Sequence, residues 1–366
     1  MLKNRVTRKL SRLASPPLRS SRIITSSYEA ISETPTSLTF RTNLGDPRDV
    51  TGKAVDFMDP PPPIPYPPCI LSMTDAVVTG PHGWIFKDKK LLLRTTWHRG
   101  HNDKLYLHWS ARFPPQHLSG MTLSLATDYA GPNYGHFLLD LLPRLMLLEN
   151  GNTYSLRDFD HILVNGPRTG WKLRLLNQFD IPENRITWLA MRPFRCDFLV
   201  ATDFPGVRRI YAPETAHFLR RHLLVETRPH TSINRLFIVR RGRARQLTNQ
   251  LRLMEIAAEF GFIPYLPEYS SNSIVDFQNA EAVIGVHGAG LSDVGFMKPG
   301  AKILELMPSD HRFPYFYSLG TAIGLDYGFL IGEVSPPWNG TPPTWPSNRA
   351  FQVDEQAFME YLEEKF

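Results

Sequence analysis

An α/β chain made of two successive strand-and-helix units is the fold class this sequence predicts, and three observations carry it. From Thr122 onward, short apolar runs alternate with longer segments of helical period. The alternation pauses near Thr227 and restarts at Leu236. At 366 residues, 42% hydrophobic and 21% charged, the chain is long enough to give each unit a core of its own.

The elements follow in chain order. The first residues, MLKNRVTRKLSRLASPPLRSSRIITSS, hold no acid before Glu29 and no continuous apolar run, so they build neither a signal peptide nor a membrane anchor. The composition suits a transit peptide, and equally a flexible basic tail that touches anionic lipid or polymer. DPPPPIPYPPC, from Asp59 to Cys69, cannot continue a helix or a central strand and reads as an extended linker. Beyond it, short apolar pieces around Trp84, Trp97 and Trp109 suggest strands of a small N-terminal element.

The first regular unit then reads strand MTLSLATD, long apolar helix YGHFLLDLLPRLMLLEN, strand HILVNG, helix WKLRLLNQF, and strands RITWL and DFLVAT. A helical stretch near Pro213–Thr227 separates it from the second. There LFIVRR is a strand, NQLRLMEIAAEFGF and NSIVDFQNA are helices, AVIGV a strand, LSDVGFM a short helix, KILELM a strand, FPYFYSLGTAIG a helix and YGFLIG a strand. Such alternation argues for parallel sheets with crossover helices, hence two Rossmann-like domains facing a central cleft. QAFMEYLEEKF closes the chain as a helix able to pack on either domain. The resulting boundaries are a basic tail and lead-in over 1–58, the linker 59–69, an N-terminal Rossmann-like domain 70–230, a C-terminal Rossmann-like domain 231–340, and a C-terminal segment 341–366.

Charge and cysteine content exclude several function classes. Lys and Arg number 41 against 35 Asp and Glu, a formal +6 that suits phosphate-bearing ligands or an anionic membrane surface and does not require nucleic acid. Cys69 and Cys196 stand far apart, in no zinc-ligand spacing and with no disulfide framework, which fits a reducing compartment.

The chemistry concentrates in one turn. AVIGV is apolar throughout, as a strand buried on both faces should be, and His287-Gly288-Ala289-Gly290 sits at its carboxyl end before a helix start. Open α/β sheets bind ligands at that edge. The glycines permit positive φ and close backbone approach, and unpaired amides at a helix start attract an anion, so phosphate is the natural occupant. The plain alternative is a tight turn using glycine for sterics alone. Gly288, Gly290 and Gly295 do not give the G-x-G-x-x-G of a dinucleotide site, and Gly290-Leu291-Ser292-Asp293-Val294-Gly295 is one residue too long for a nucleophile elbow.

GVHGAGLSDVGFMKPGAKILELMP, LFIVRRGRARQLTNQ and NYGHFLLDLLPRLMLLE, in that relation, resemble the bacterial branch of glycosyltransferase family 61, the capsular polysaccharide biosynthesis proteins. The resemblance spans roughly Leu123 to Gly332 and is most specific in the H-G-A-G-L…P-G…E-L block. It implies a GT-B-like fold, a nucleotide-sugar donor held by the C-terminal domain, and transfer with inversion to a saccharide or lipid-linked saccharide acceptor. One departure is visible: an Asn-Glu pair in the family pattern reads Asn249-Gln250 here. Eukaryotic members usually carry an N-terminal anchor, so a bacterial cytoplasmic enzyme is the expectation, with the basic tail contacting the inner face of the membrane. A non-catalytic nucleotide- or sugar-binding partner of a polysaccharide assembly complex is the alternative function.

On that basis His287, Gly288, Ala289, Gly290 and Leu291 are expected to line the donor pyrophosphate, with Arg240 and Arg245 supplying positive charge. Against this stand a solvated strand end for Arg240 and a surface loop for Arg245. Glu305, near the carboxyl end of KILELM, is expected to accept bonds from the donor ribose; the alternative is a buried carboxylate paired with Lys or Arg. Asp158-Phe159-Asp160 has the D-x-D form of a metal-dependent sugar-diphosphate site, but it precedes its strand and so falls at the wrong edge. No metal and no other cofactor is expected. Inverting transfer needs a base for the acceptor hydroxyl. His136, Asp140 and Arg144 are spaced four apart on one helix, behind the turn and cap of Gly131-Pro132-Asn133, close to the carboxyl edge of MTLSLATD. His136 is therefore expected to be the base, oriented by Asp140, with Asp140 the second candidate and Asn133 and Arg144 on the acceptor side. A surface or interface stripe is the alternative.

Overall fold

The computed structural model describes residues 23–24, 31–36, 47–58, 68–96, 109–204, 206–207, 210–225, 235–242, 244–336 and 349–366. The basic tail before residue 23, the proline run 59–67 and Trp97 lie outside them. The chain divides into two compact units: Met1–Phe40 with Pro62–Arg208, and Arg41–Pro61 with Arg209–Phe366.

Unit 1 is a mixed sheet. Its strands are β1 (Ile23–Ile24), β2 (Ser32–Pro35), β3 (Cys69–Thr79), β4 (Trp84–Lys87), β5 (Lys90–Leu92), β6 (Gln116–Ser124), β7 (His161–Asn165), β8 (Ile186–Leu189) and β9 (Phe194–Thr202). They run in the order β1-β5-β4-β3-β9-β6-β7-β8, with β2 paired to β3. The segment β9-β6-β7-β8 is parallel, as the alternation of strands and helices predicts, and the edge pair β1-β5 is parallel as well. β3 joins β9 antiparallel, so the strands around Trp84 extend the main sheet and do not form a separate small element. The expectation of a plain parallel sheet fails here because β3, β4 and β5 are linked by tight turns, and such turns force antiparallel pairing.

The long apolar helix after β6 is interrupted. It opens as Tyr134–His136, passes through a π turn at Phe137–Leu141, and resumes as Arg144–Gly151. Pro143 supplies the reason: it has no amide hydrogen for an α-helical bond, and the Leu142 N–H instead donates to the Phe137 carbonyl at 3.1 Å. Arg144 therefore leaves the polar line drawn through His136 and Asp140. Its side chain is fully buried and donates to the Ala126 carbonyl at 2.6 Å and the Thr202 carbonyl at 2.5 Å, with Phe204 stacked 5.0 Å away. Burial pushes its pKa down to about 10, against the pull of Asp203, Asp128 and Asp140. The acceptor-side role expected for Arg144 is replaced by a structural one: it ties the chain just past β6 to the end of β9.

Unit 2 holds β10 (Arg235–Ile238), β11 (Ile263–Tyr265), β12 (Ala282–Val286), β13 (Lys302–Pro308), β14 (Asp326–Val334) and β15 (Phe351–Gln352). They run β11-β10-β12-β13-β14-β15, all parallel except β15. Every residue of β12 is buried. Its five parallel strands follow a doubly wound order, which reverses direction between β10 and β12.

One side of that sheet is covered by the helices Gln250–Glu259 and Glu355–Lys365, whose Leu253, Ile256, Phe358 and Leu362 share one cluster with Phe237, Ile284, Leu304 and Leu330. The C-terminal helix thus belongs to unit 2. Asn249 fastens it, donating to the Val353 carbonyl at 2.9 Å and to Glu355 Oε1 at 3.0 Å. The unit starts at Arg209, earlier than 231, since the helix Pro213–Leu223 packs against the helix Tyr315–Ile323. It also takes in residues read from sequence as lead-in. Val55 and Phe57 are buried against Met307 and Phe329, and the Val50 N–H donates to the Phe329 carbonyl at 3.0 Å.

Replacing Arg144 with Met should keep the volume and lose the two carbonyl bonds. The expected cost is roughly 2–4 kcal/mol, read as a lower urea midpoint with unchanged slope; an unchanged midpoint would return Arg144 to the acceptor side.

Candidate functional site

In unit 2 the elements converge where the strand order reverses. β10 ends at Ile238 and leads into Arg240 and Arg245; β12 ends at Val286 and leads into Gly288. Gly288 has φ 154° and ψ −176°, a conformation nearly confined to glycine. A Cβ built on it would stand 2.7 Å from Arg240 Nη1 and 3.4 Å from Arg245 Nη2. Both guanidinium groups therefore lie over this turn, where φ calls for glycine and a side chain would displace the Arg240 guanidinium.

Neither arginine has a carboxylate within ion-pair distance among the described residues. Arg240 Nε donates to the Ala244 carbonyl at 2.8 Å, and burial together with the neighbouring Arg245 pushes its pKa down to about 10. Burial lowers that of Arg245 as well. Arg245 sits at φ 53°, a left-handed value that is strained for a side-chain-bearing residue. Its Nη1 donates to His311 Nε2 at 3.2 Å, which requires the lone pair on that nitrogen, since arginine cannot accept. Two half-buried cations side by side, with no carboxylate of the described residues in ion-pair contact and only the longer-range pull of Asp310 on Arg245, can hold an anion with several oxygens.

The rest of the block stands behind that seat. His287 is 2% exposed, and its Nδ1 lies 2.5 Å from Oε1 of the fully buried Glu305. Glu305 Oε2 accepts from Tyr327 Oη at 2.5 Å. Both oxygens of Glu305 are engaged by protein groups, so the ribose role expected for it gives way to bracing His287. His287 packs against the rings of His311, Phe313, Tyr315 and Phe316, and supports the Gly288 turn from the core side where the sequence reading had it lining the pyrophosphate. Leu291 is likewise fully buried, packed where a Cβ on Gly285 would meet it at 2.9 Å, and anchors the helical turn Ala289–Phe296. Ala289 and Gly290 stay half-exposed at its start.

Gln250 accounts for the departure seen in sequence. Its Oε1 accepts from the Arg240 N–H at 2.8 Å, holding the arginine's backbone with a neutral amide. His311 was missed in sequence. Its signal is its place just past the carboxyl end of β13.

Unit 1 builds a different constellation. Asn133 Oδ1 accepts from the His136 N–H at 3.3 Å, the cap that the sequence predicts. His136 Nδ1 lies 2.5 Å from Oδ2 of the buried Asp140. Beside a carboxylate, Nδ1 is the ring nitrogen that donates. The Tyr129 ring lies 5.3 Å from that of His136 and 6.5 Å from that of His82, and Tyr129 is itself held at φ 66°. Beneath them the buried Asp128 accepts from Trp84 Nε1 at 2.7 Å.

Two buried polar residues hold the loops that carry these groups. Asn165 donates to the carbonyls of Pro81 and Thr127 at 2.8 and 2.9 Å. Lys172 Nζ donates to those of Gly131, Asn165 and Pro167 at 2.7, 2.9 and 3.0 Å. His82, Tyr129 and Asp128 escape sequence reading because nothing in their spacing brings residue 82 beside 129.

The D-x-D pair is engaged locally. Asp158 Oδ2 accepts from the Ser155 N–H at 2.7 Å, and Asp160 Oδ2 from the Met121 N–H at 2.8 Å. A histidine locked by a carboxylate and an arginine pair over a glycine turn are the two arrangements to be matched with known proteins.

Residues 134–304 match the family model Glycosyltransferase 61. The match opens two residues before His136 and closes one before Glu305, so it spans the His136 pair, both arginines and the Gly288 turn. The resemblance to glycosyltransferase family 61 thus holds over residues 134–304. No match is found among the curated proteins. No helix of the described residues is long and apolar enough to cross a membrane.

Burial, outweighing the opposing pull of Glu305, lowers the pKa of His287. The unfolded chain then binds the extra proton more readily below the ordinary histidine pKa of about 6.5, so stability should fall as pH drops through that value. In this glycosyltransferase 61 region a His287→Asn variant should show a flatter decline of melting temperature between about pH 7 and pH 5. An equally steep decline would place the sensitive group elsewhere.

Proposed function

We propose that this chain is an inverting glycosyltransferase of GT-B-like type that moves a sugar from a nucleotide-sugar donor to a saccharide or lipid-linked saccharide acceptor, in bacterial surface or capsular polysaccharide synthesis. The observation that carries the reading is the pair Arg240 and Arg245 over Gly288, at the point of an open sheet where phosphate-bearing ligands bind. Unit 2 holds the donor. The diphosphate lies against the two guanidinium groups and the half-exposed start of the turn at Ala289 and Gly290, where backbone amides assist.

Unit 1 supplies the base. His136 Nε2 takes the acceptor hydroxyl's proton as the new C–O bond forms and the bond from the sugar to the diphosphate breaks. Asp140, behind Nδ1, stabilises the imidazolium that results. The arginines take up the negative charge that develops on the leaving nucleoside diphosphate, the task a divalent ion performs in metal-dependent transferases, so turnover is expected to survive a chelator. The basic tail makes a peripheral contact with the cytoplasmic face of the membrane.

The test separates donor binding from transfer. Across a panel of nucleotide sugars, the wild-type chain should release nucleoside diphosphate slowly without acceptor. Arg240→Ala should weaken donor binding and release together, by roughly tenfold or more. His136→Ala and Asp140→Asn should keep donor affinity and lose transfer, the former by roughly a hundredfold. Binding of donors with no release from any of them would identify a non-catalytic partner, and near-normal transfer by both unit 1 variants would remove His136 as the base.

A further inference from the structure

One large aromatic side chain at the ligand edge of unit 2 is left in solvent. Tyr269 is 71% exposed, although it closes a short helical turn, Pro267–Tyr269, that directly follows β11. The turn is held firmly. Tyr265 Oη and Ser270 Oγ both donate to Asp276 Oδ2, at 2.7 and 2.5 Å, and so fix the chain on either side of Tyr269. Arg241 Nη1 donates to Tyr269 Oη at 3.0 Å, and its guanidinium carbon lies 5.2 Å from the ring centroid. Arg241 directly follows Arg240, so consecutive residues past β10 reach to opposite sides of the strand: Arg240 to the Gly288 turn after β12, Arg241 to the Tyr269 turn after β11.

The register sets the scale. Ile238 pairs with Tyr265 on one side and with Gly285 on the other, so β10 and β11 end level and β12 runs one residue further. Neighbouring strands lie about 4.8 Å apart, which places the ends of β11 and β12 about 10 Å from each other along one edge. That is on the order of the reach from the phosphates of a nucleoside diphosphate to its base. A flat ring with a polar tip, steadied by a cation and left in water, is the surface on which a heteroaromatic base stacks.

We propose that Tyr269 and Arg241 form the nucleobase subsite of the donor, the base lying on the Tyr269 ring. Arg241 holds that ring at its hydroxyl and adds positive charge beside the stacked base. The proposal rests on Arg240 and Arg245 as the diphosphate seat and extends it to the other end of the same ligand. Stacking of this kind tolerates any base, so Tyr269 supplies affinity for nucleotides as a class, over and above affinity for phosphate.

The experiment is calorimetric titration of the full chain with uridine, adenosine and guanosine diphosphates and with inorganic pyrophosphate. For the best-bound nucleotide, Tyr269→Ala should weaken binding about tenfold or more, while pyrophosphate binds as in the wild type. Tyr269→Phe should retain most of the affinity, and the exposed position means neither change should move the melting temperature. Nucleotide affinity within about twofold of wild type in Tyr269→Ala would overturn the subsite. A wild-type chain that binds no pyrophosphate, or an Arg240→Ala variant that binds it normally, would instead overturn the diphosphate seat.

Discussion

Two like charges held together with no carboxylate of the described residues in contact, and only the longer-range pull of Asp310 on Arg245 to offset them, is the constraint on which the Gly288 turn of unit 2 depends. Burial and mutual repulsion both work against the arginine pair, as the lowered pKa of Arg240 records. Neutral groups hold it in place: the Gln250 amide on the Arg240 backbone, the Ala244 carbonyl on its Nε, and the His311 lone pair on Arg245. A carboxylate at any of these points would hold the cations better and fill the seat with the protein's own charge. Gln250 in place of the glutamate of the family pattern therefore has a physical sense: it supports the arginine backbone and leaves the positive field for a ligand.

The same reasoning explains why the acid of this block is kept out of reach. Glu305 lies in the core with Tyr327 on one oxygen and His287 on the other, and burial raises the pKa of Tyr327 well above its ordinary value, with Glu305 adding to the shift. His287 stands between this carboxylate and the turn beneath the arginines. Burial favours its neutral form, so the block presents a polar support without a further cation or a competing anion.

Sequence showed the architecture of unit 2 almost element by element, because a parallel sheet buried on both faces leaves continuous apolar runs such as AVIGV and its crossovers leave helical periods. It showed where the strand ends and glycine turns lie, because these are local features. It did not show what each residue does there. Glu305 looks like a ribose ligand until Tyr327 is found on its second oxygen, and Arg144 looks like part of a polar stripe until Pro143 shifts the helix into a π turn and carries it inward. Pro143 was present to be read, whereas the partners of Glu305 depend on how β14 lies beside β13. The β3-β9 pairing was beyond reach for a similar reason. An antiparallel bond between segments more than a hundred residues apart leaves no periodic trace.

The two constellations differ in chemistry and agree in construction. Each sits beyond the carboxyl ends of parallel strands, includes one residue in a left-handed backbone conformation (Tyr129 in unit 1, Arg245 in unit 2), and rests on buried polar groups that engage main-chain atoms. In unit 1 the support is Lys172, whose three carbonyl partners fasten the loop leading to His136 to the end of β7. Burial brings its pKa down to about 8, so the ammonium is kept by its acceptors against a real desolvation cost, and a methionine of similar length could not replace it. The separation by sheet also follows from charge. A carboxylate behind a histidine steadies its ring and any charge it takes, whereas a carboxylate beside two arginines would cancel their field. Asp140 stands against the His136 ring in one sheet, and in the other no carboxylate of the described residues comes within ion-pair distance of Arg240, so each environment suits its own side chain.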